Sequence, residues 1–489
     1  MLMNKTRKFT PAVITSIVAG LLFAHCAHAL STDKNQLPEI GTSAVSTLSL
    51  DKENLYGKAM MKSVRASQPI IQDPVLIEYI NDLGNELVKS ADGVNYQFQF
   101  FLINNKELNA FAFFGGHIGT HSGLITMAEN ESELASVLSH EIAHVTQRHL
   151  ARKMEAQSRN TPLSIAGLIS GVLISLVNPQ AGFATLSATM AATQQASINY
   201  TRSNEQEADR VGMSILVASG FDPNGAPDFF KKMSSKYRYT SKPPAMLLTH
   251  PLPESRISDS RNRAQLYPNM LLAPSLEFEL AKARLRARYE GNGKGNIAIF
   301  ENEIRKQQYQ IKEAAQYGLA LSYFEDKQYL KAETLLTQLL AKAPNNLFYA
   351  DAMTDTFIEQ KKYDQALAML QKLNLIMPNN QVVTLNYANT ALSAKKYDLA
   401  TSLLQKFLIL NRENFIGHDL LTQVYRKQKK MAQMHGQQAE VFALMGLYPK
   451  AVDELHTAYN FSEKNSLMQK RIKARILQFQ EEENQLKRL

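Results

Sequence analysis

Cysteine is almost missing from this chain: 489 residues contain one, Cys26. Any disulfide framework is thereby excluded. No stretch interleaves basic and aromatic side chains as nucleic-acid binders do, so nucleic acid is not expected as a partner. No apolar run reaches the ~20 residues that span a bilayer. Between Asn160 and Tyr200 charge is absent altogether. These absences leave a polypeptide held together by its core, with room for two or three domains at ~100–200 residues each.

The first residues read as a leader. Lys5, Arg7 and Lys8 form a basic start, Ala12 to Ala24 is a short apolar segment, and Ala27-His28-Ala29 supplies small residues where a signal peptidase cuts. Cleavage is expected near Ala29, which assigns residues 1–29 to a signal peptide and the remaining chain to an exported compartment. His25 stands where a lipoprotein signal needs a small residue, so lipidation of Cys26 is not expected. Removal of the leader takes the lone cysteine with it, and stability then rests on packing. It leaves 51 basic against 45 acidic residues, a net charge of +6 that permits a mild attraction to anionic surfaces.

What is present is concentrated first in His140-Glu141-Ile142-Ala143-His144. Residues four apart on a helix share a face, so His140 and His144 can offer imidazole nitrogens to one tetrahedral Zn²⁺. Glu141 sits round the helix from them, placed as the general base that deprotonates an attacking water. Leu134, Val137 and Leu138 lead in with helical spacing, and no Pro or Gly interrupts Glu131 to Leu150. His149, five residues beyond His144, falls off the ligand face and reads as an ordinary surface histidine. A third protein ligand is required. Glu205 and Asp209 share a face of a second helical stretch: Glu205 is expected to ligate, and Asp209 to accept the other ring N–H of a ligand histidine. Alone, that acidic run would more often be a solvated helix face; His140 and His144 change the reading.

An HExxH helix followed some sixty residues later by an ExxxD helix resembles the M48 zinc metallopeptidases. Asn109-Ala110-Phe111-Ala112 matches the same family, where it begins an edge strand on which a substrate peptide lies extended. Gly115, Gly116 and Gly119 would let another backbone approach closely. His117 and His121 share a strand face and are expected not to ligate. Nothing in the spacing assigns a role to Glu107. Thr249-His250-Pro251-Leu252-Pro253-Glu254-Ser255-Arg256 matches the family's distal His and Arg. The resemblance implies an α+β zincin-like domain, helices with a small sheet, holding one Zn²⁺ per chain. It gives His250 and Arg256 the task of stabilising the oxyanion of peptide hydrolysis. An imidazole that close could equally fill the fourth zinc position and switch the site off, with Pro243, Pro244, Pro251 and Pro253 shaping the loop that carries it.

The uncharged segment leaves just after His144 and returns just before Glu205. Pro162 to Val177 is apolar and Ala181 to Ala192 is rich in small residues, with Asn178-Pro179 between them. A helical hairpin over residues 160–200 is expected, acting as a lid or as a peripheral contact with a lipid surface rather than as a membrane span, although some M48 members carry transmembrane segments at this point.

The second half repeats. Tyr329, Tyr363 and Tyr397 are each 34 residues apart, Ala332, Ala366 and Ala400 keep that step, and so do Pro344 and Pro378. The period, the packing alanine and the closing proline identify tetratricopeptide repeats. Asn345-Asn346 and Asn379-Asn380 supply polar turns. Arg412 replaces the next proline, Tyr448 and Ala451 fall out of phase, and the charged stretch Lys464 to Leu489 reads as a solvated capping helix. About four repeats plus extra helices are expected; His418, His435 and His456 read as structural. The fold is thus expected to be mainly α: a metallopeptidase domain over 30–270, then an α-solenoid of helix pairs over 271–489. Such arrays present a concave surface for peptides and partner proteins.

The whole layout resembles M48 members that act in the periplasm of Gram-negative bacteria in quality control of outer-membrane proteins. That resemblance implies an endopeptidase whose substrates are unfolded or misassembled outer-membrane proteins. It also implies contact with the outer-membrane β-barrel assembly machinery through the repeats, and a periplasmic location associated with the outer membrane. The alternative is a chaperone-like binding protein that keeps a latent protease site.

Overall fold

The structure is a computed structural model and describes residues 48–158, 202–237, 245–268, 270–464 and 466–488. The leader, the 160–200 hairpin and Pro243-Pro244 lie outside the described residues.

The first part of the described chain begins with α1 (Leu50–Ser67) and α2 (Pro74–Lys89). Asp73 caps α2 by accepting from Leu76 N, and Pro74 starts it where a missing N–H is harmless. Val75, Leu76, Tyr79, Ile80, Leu83 and Leu87 bury one face of α2 against the sheet. That sheet has three strands among the described residues: β1 (Gln99–Ile103), β2 (Ala110–Phe113) and β3 (His117–His121). Their order is β1-β3-β2, parallel between β1 and β3 and antiparallel between β2 and β3. β1 is buried on both faces, since Phe101 and Ile103 pack with Met61 and Phe113 on the side away from α2. β2, which carries the Asn109 motif's alanines, is an edge strand as expected.

Then come α3 (Ser122–Met127) and α4 (Glu131–Thr146), the helix of the histidine motif. Asn130 caps α4 by accepting from Glu133 N, and nearly every residue along it is buried. α4 stops sooner than the lack of Pro and Gly implied. Arg148 takes a left-handed φ of 53°, and α5 (His149–Ser158) starts in a new direction. α6 (Arg202–Ala218) packs along α4. Gly212 makes that closeness possible: a Cβ there would stand 3.0 Å from His140 N. α7 (Gly225–Tyr237), the short α8 (Ala245–Thr249) and α9 (Glu254–Ala264) complete this part. Lys232 on α7 grips the buried Glu133 at 2.8 Å and fixes α7 to the start of α4.

Twelve helices follow among the described residues. They are α10 (Leu276–Tyr289), α11 (Gly293–Lys306), α12 (Lys312–Glu325), α13 (Tyr329–Lys342), α14 (Leu347–Glu359), α15 (Tyr363–Ile376), α16 (Gln381–Ser393), α17 (Tyr397–Leu410), α18 (Phe415–Lys427), α19 (Met431–Leu444), α20 (Tyr448–Asn460) and α21 (Leu467–Lys487). The tyrosines of the 34-residue step each open a helix, and Ala332, Ala366 and Ala400 are fully buried where helices meet. Asn346, Asn380 and Asn414 cap α14, α16 and α18 at the same step. The turn inside each pair uses a left-handed lysine: Lys327, Lys361, Lys395 and Lys429, with φ between 58° and 62°. Asn414 and Lys429 keep the step after Arg412 replaces proline, so the array continues through α18 and α19. α21 is amphipathic rather than wholly solvated, burying Ile472, Ile476 and Phe479.

The array is joined to the part before it. Arg284 on α10 reaches Asp73 at 2.6 Å and Asp351 at 2.6 Å, and donates to Tyr317 Oη at 2.8 Å. At the other end Ala59 of α1 packs with Tyr448, Leu455, Ile476 and Phe479. Among the described residues no helix is long and apolar enough to cross a membrane.

Candidate metal centre

α4 presents His140 and His144 one turn apart, and their Nε2 atoms lie 2.9 Å from each other. α6 brings Glu205 in from the side: Oε2 is 3.5 Å from His140 Nε2 and Oε1 is 3.4 Å from His144 Nε2. The loop between α8 and α9 adds His250, whose Nδ1 is 3.1 Å from Glu205 Oε1 and 3.4 Å from His140 Nε2. All four residues are buried, and their donor atoms fall within 4.8 Å of one another. Zinc–nitrogen bonds of ~2.0–2.1 Å directed to tetrahedral corners would hold donor atoms about 3.3 Å apart. The separations here bracket that value, and two imidazole nitrogens converging with a carboxylate on one buried point are the donor types zinc takes. The residues present fit zinc.

Glu141 is fully buried, and neither of its carboxylate oxygens has a hydrogen-bond partner among the described residues. Oε1 lies 3.4 Å from His250 Nε2. A desolvated carboxylate without a donor costs free energy, which a structural role alone does not explain. Asp209, one turn beyond Glu205, lies 3.0 Å from His140 Nδ1, although the ring N–H points off the line to that oxygen. Arg256 on α9 holds Asp209 through two nitrogens at 2.7 Å each. Its third nitrogen is 2.8 Å from Glu205 and donates to Pro251 O at 2.7 Å. All three guanidinium nitrogens therefore face acceptors of this chain.

The electrostatics favour positive charge at the centre. Burial opposes a charged His140, yet the carboxylates of Asp209 and Glu205 outweigh it and push the imidazole up to about 10. Burial, reinforced by its histidine neighbours, drives His144 well below the ordinary range. Desolvation would raise Glu205, but its contacts with the three histidines hold it far below the usual carboxylate range. A cavity of about 20 Å³, room for one water, adjoins His140, Asp209, His250 and Arg256.

The reading of His149 as a surface residue is corrected: it is wholly buried, and its Nδ1 is 2.8 Å from His144 Nδ1. Its Nε2 is 3.2 Å from Glu207, which Arg152 holds at 2.9 Å. Extending helical periodicity through residues 147–148 caused the error. The left-handed Arg148 breaks the helix and swings the ring back beneath His144. Arg148 is itself buried and paired with Glu53 on α1. No motif marked Glu53, Arg148 or Glu207, whose places depend on that break. His117 and His121 stand on β3, and neither is in the group His140, His144, Glu205 and His250. His121 Nδ1 lies 3.2 Å from the Glu107 carbonyl, so Glu107 acts here through its backbone.

Beside the centre, Met246 N donates to Leu108 O at 3.3 Å, which sets the segment carrying His250 against the entry to β2. Asn109 Oδ1 is buried and has no hydrogen-bond partner among the described residues.

Fold and site together define a zinc metallopeptidase joined to a tetratricopeptide array. Peptidase family M48 matches residues 75–264, and a tetratricopeptide repeat matches 357–424. The beta-barrel assembly-enhancing protease of Escherichia coli O157:H7 is 41% identical over 98% of this chain and 99% of its own. The putative beta-barrel assembly-enhancing protease of Vibrio cholerae is 51% identical over 71% of this chain and 72% of its own. That of Yersinia pestis is 48% identical over 65% and 66%. The chain belongs to the beta-barrel assembly-enhancing protease family of M48 metallopeptidases.

Proposed function

We propose that this protein is a periplasmic endopeptidase that works on unfolded or misassembled outer-membrane proteins, with a metallopeptidase domain over 30–270 and a client- and partner-binding array over 271–489. His140, His144 and Glu205 hold the zinc. When bound, the metal polarises the scissile carbonyl and acidifies the attacking water. Glu141 takes the proton of that water and delivers it to the leaving nitrogen. Asp209 fixes the orientation of His140, and Arg256 fixes both Asp209 and Glu205. The substrate lies extended along the free edge of β2, read through its main chain more than its side chains. That mode suits unfolded clients of many sequences. The names and full-length similarity of the relatives support the assembly role, with the outer-membrane β-barrel assembly machinery as the partner of the repeats.

One observation carries the reading: Glu141 is buried without a hydrogen-bond partner beside four side chains that could hold a metal ion. The place of His250 Nδ1 in that group favours the reading in which His250 would fill the fourth metal position and restrain the enzyme over the one in which it stabilises the oxyanion.

The test is cleavage of casein by the full chain with metal analysis. Glu141→Gln is expected to keep one zinc and lose about 10²–10⁴ of the rate. His250→Ala is expected to cleave faster than wild type, whereas a loss would assign it to the oxyanion alone. Absence of zinc from wild type would sink the ligand assignment. If Glu141→Gln retained full function in cells, the chaperone-like reading would replace the protease as the main role.

A further inference from the structure

We propose that His149 is a positioning residue for the metal centre, linking the ligand His144 to Glu207 and fixing which nitrogen of His144 faces the metal. The inference rests on the reading of His144 as a zinc ligand. Three side chains form a line from the centre toward the surface. His144 Nδ1 and His149 Nδ1 are 2.8 Å apart, and their rings are nearly perpendicular at 75°. His149 Nε2 is 3.2 Å from Glu207 Oε2. Arg152 reaches the same carboxylate oxygen at 2.9 Å.

The direction of the hydrogen bonds follows from the outer end. A carboxylate only accepts, so His149 Nε2 carries the proton and donates to Glu207. Neutral imidazole then leaves His149 Nδ1 as an acceptor, and the proton between the two rings belongs to His144 Nδ1. That is the tautomer whose Nε2 lone pair is free for metal. Ring nitrogens of metal-binding histidines are generally fixed by such a partner. Here the partner is a second imidazole, itself fixed by a carboxylate.

α6 thereby serves the centre three times from alternate positions. Glu205 is a ligand, Asp209 addresses His140, and Glu207 addresses His144 through His149. Residues two apart point to different sides of a helix, so Glu207 could not reach His144 from the face of Glu205. The break at Arg148 places His149 in the gap.

A buried histidine can also be mere packing, and zinc affinity separates the two cases. The full chain is stripped of metal, and zinc binding is measured by competition with a chromophoric chelator. The visible spectrum of the Co²⁺-substituted protein is recorded beside it. His149→Phe keeps the ring volume without an acceptor. It is expected to weaken zinc binding about 10–100-fold and to alter the Co²⁺ bands, while the metal-free protein melts within a few degrees of wild type. His149→Asn, which keeps an acceptor near the Nδ1 position, is expected to recover most of the affinity. Glu207→Ala, at the half-exposed end of the line, is expected to weaken binding severalfold and covers the case in which His149→Phe does not fold. Zinc affinity within twofold of wild type in the folded His149→Phe protein, or in Glu207→Ala where the former does not fold, overturns the proposal. A wild-type protein that binds no zinc would instead overturn the ligand assignment beneath it.

Discussion

Arg256 holds Asp209 through two parallel hydrogen bonds of 2.7 Å, and the same Asp209 stands 3.0 Å from the ring of His140. A residue outside the donor set therefore stands against one within it, and the proposed role of Asp209 is to orient that ring. Paired planar groups of this kind fix direction as well as distance. Asp209→Asn is expected to weaken zinc binding about 10–100-fold with the fold intact, measured by chelator competition. Arg256→Ala leaves Glu205 and Asp209 without their cation and should also destabilise the catalytic part by ~3–5 kcal/mol, read from denaturant unfolding.

Arg284 does for the two halves what Arg256 does for the centre. Its guanidinium is buried between Asp73 at the start of α2 and Asp351 on α14. Arg284→Ala would strand two buried carboxylates and is expected to cost ~3–5 kcal/mol. It should also let protease nick the chain between α9 and α10. Calorimetry and limited proteolysis check both outcomes. An unchanged melting temperature would remove Arg284 from the account of how the halves are joined.

Zinc held as proposed would tie α4, α6 and the His250 loop to one point, so its removal should be felt as lost stability. With free zinc at a thousand times its Kd, the metal contributes about 4 kcal/mol to the folded state. A chelator is expected to lower the melting temperature of the catalytic part, and one equivalent of zinc to restore it. The melting of the array should respond less.

His117 offers a pH test away from the metal. Burial first, then the nearby charges of Arg65 and Lys58, push its imidazole down to about 4 from the ordinary 6.5. The folded protein keeps it neutral while the unfolded chain takes up a proton. Its contribution to stability is thus complete above about pH 6.5 and is lost as pH falls toward 4. His117→Phe, whose ring can keep the stacking on Phe113, is expected to flatten the fall of melting temperature across that window. Equal slopes in wild type and variant would show that His117 does not set it.

Much of this protein is legible from local patterns in the chain. The spacing of His140 and His144 on one uninterrupted turn, and of Glu205 and Asp209 on another, made the donor set legible because helical periodicity is local. The 34-residue step of tyrosine and alanine was legible for the same reason: each repeat uses the same packing against its neighbour. The edge strand at Ala110–Phe113 was anticipated from its resemblance alone, since a four-residue strand carries little pattern of its own.

How those local pieces converge depends on contacts between distant segments. The left-handed Arg148 turned His149 from an apparent surface residue into the partner of His144, and no periodicity announces a break made without Gly or Pro. His250 joined the donor set because Met246 is tied to Leu108 and Arg256 to Asp209, contacts between segments far apart in the chain. Gly212 marks the closeness of α6 to α4 only once both are in place. Helices and ligands could be read from local geometry; the orientation of each ligand, and the joining of array to enzyme through Arg284, depend on long-range packing that no window of sequence contains.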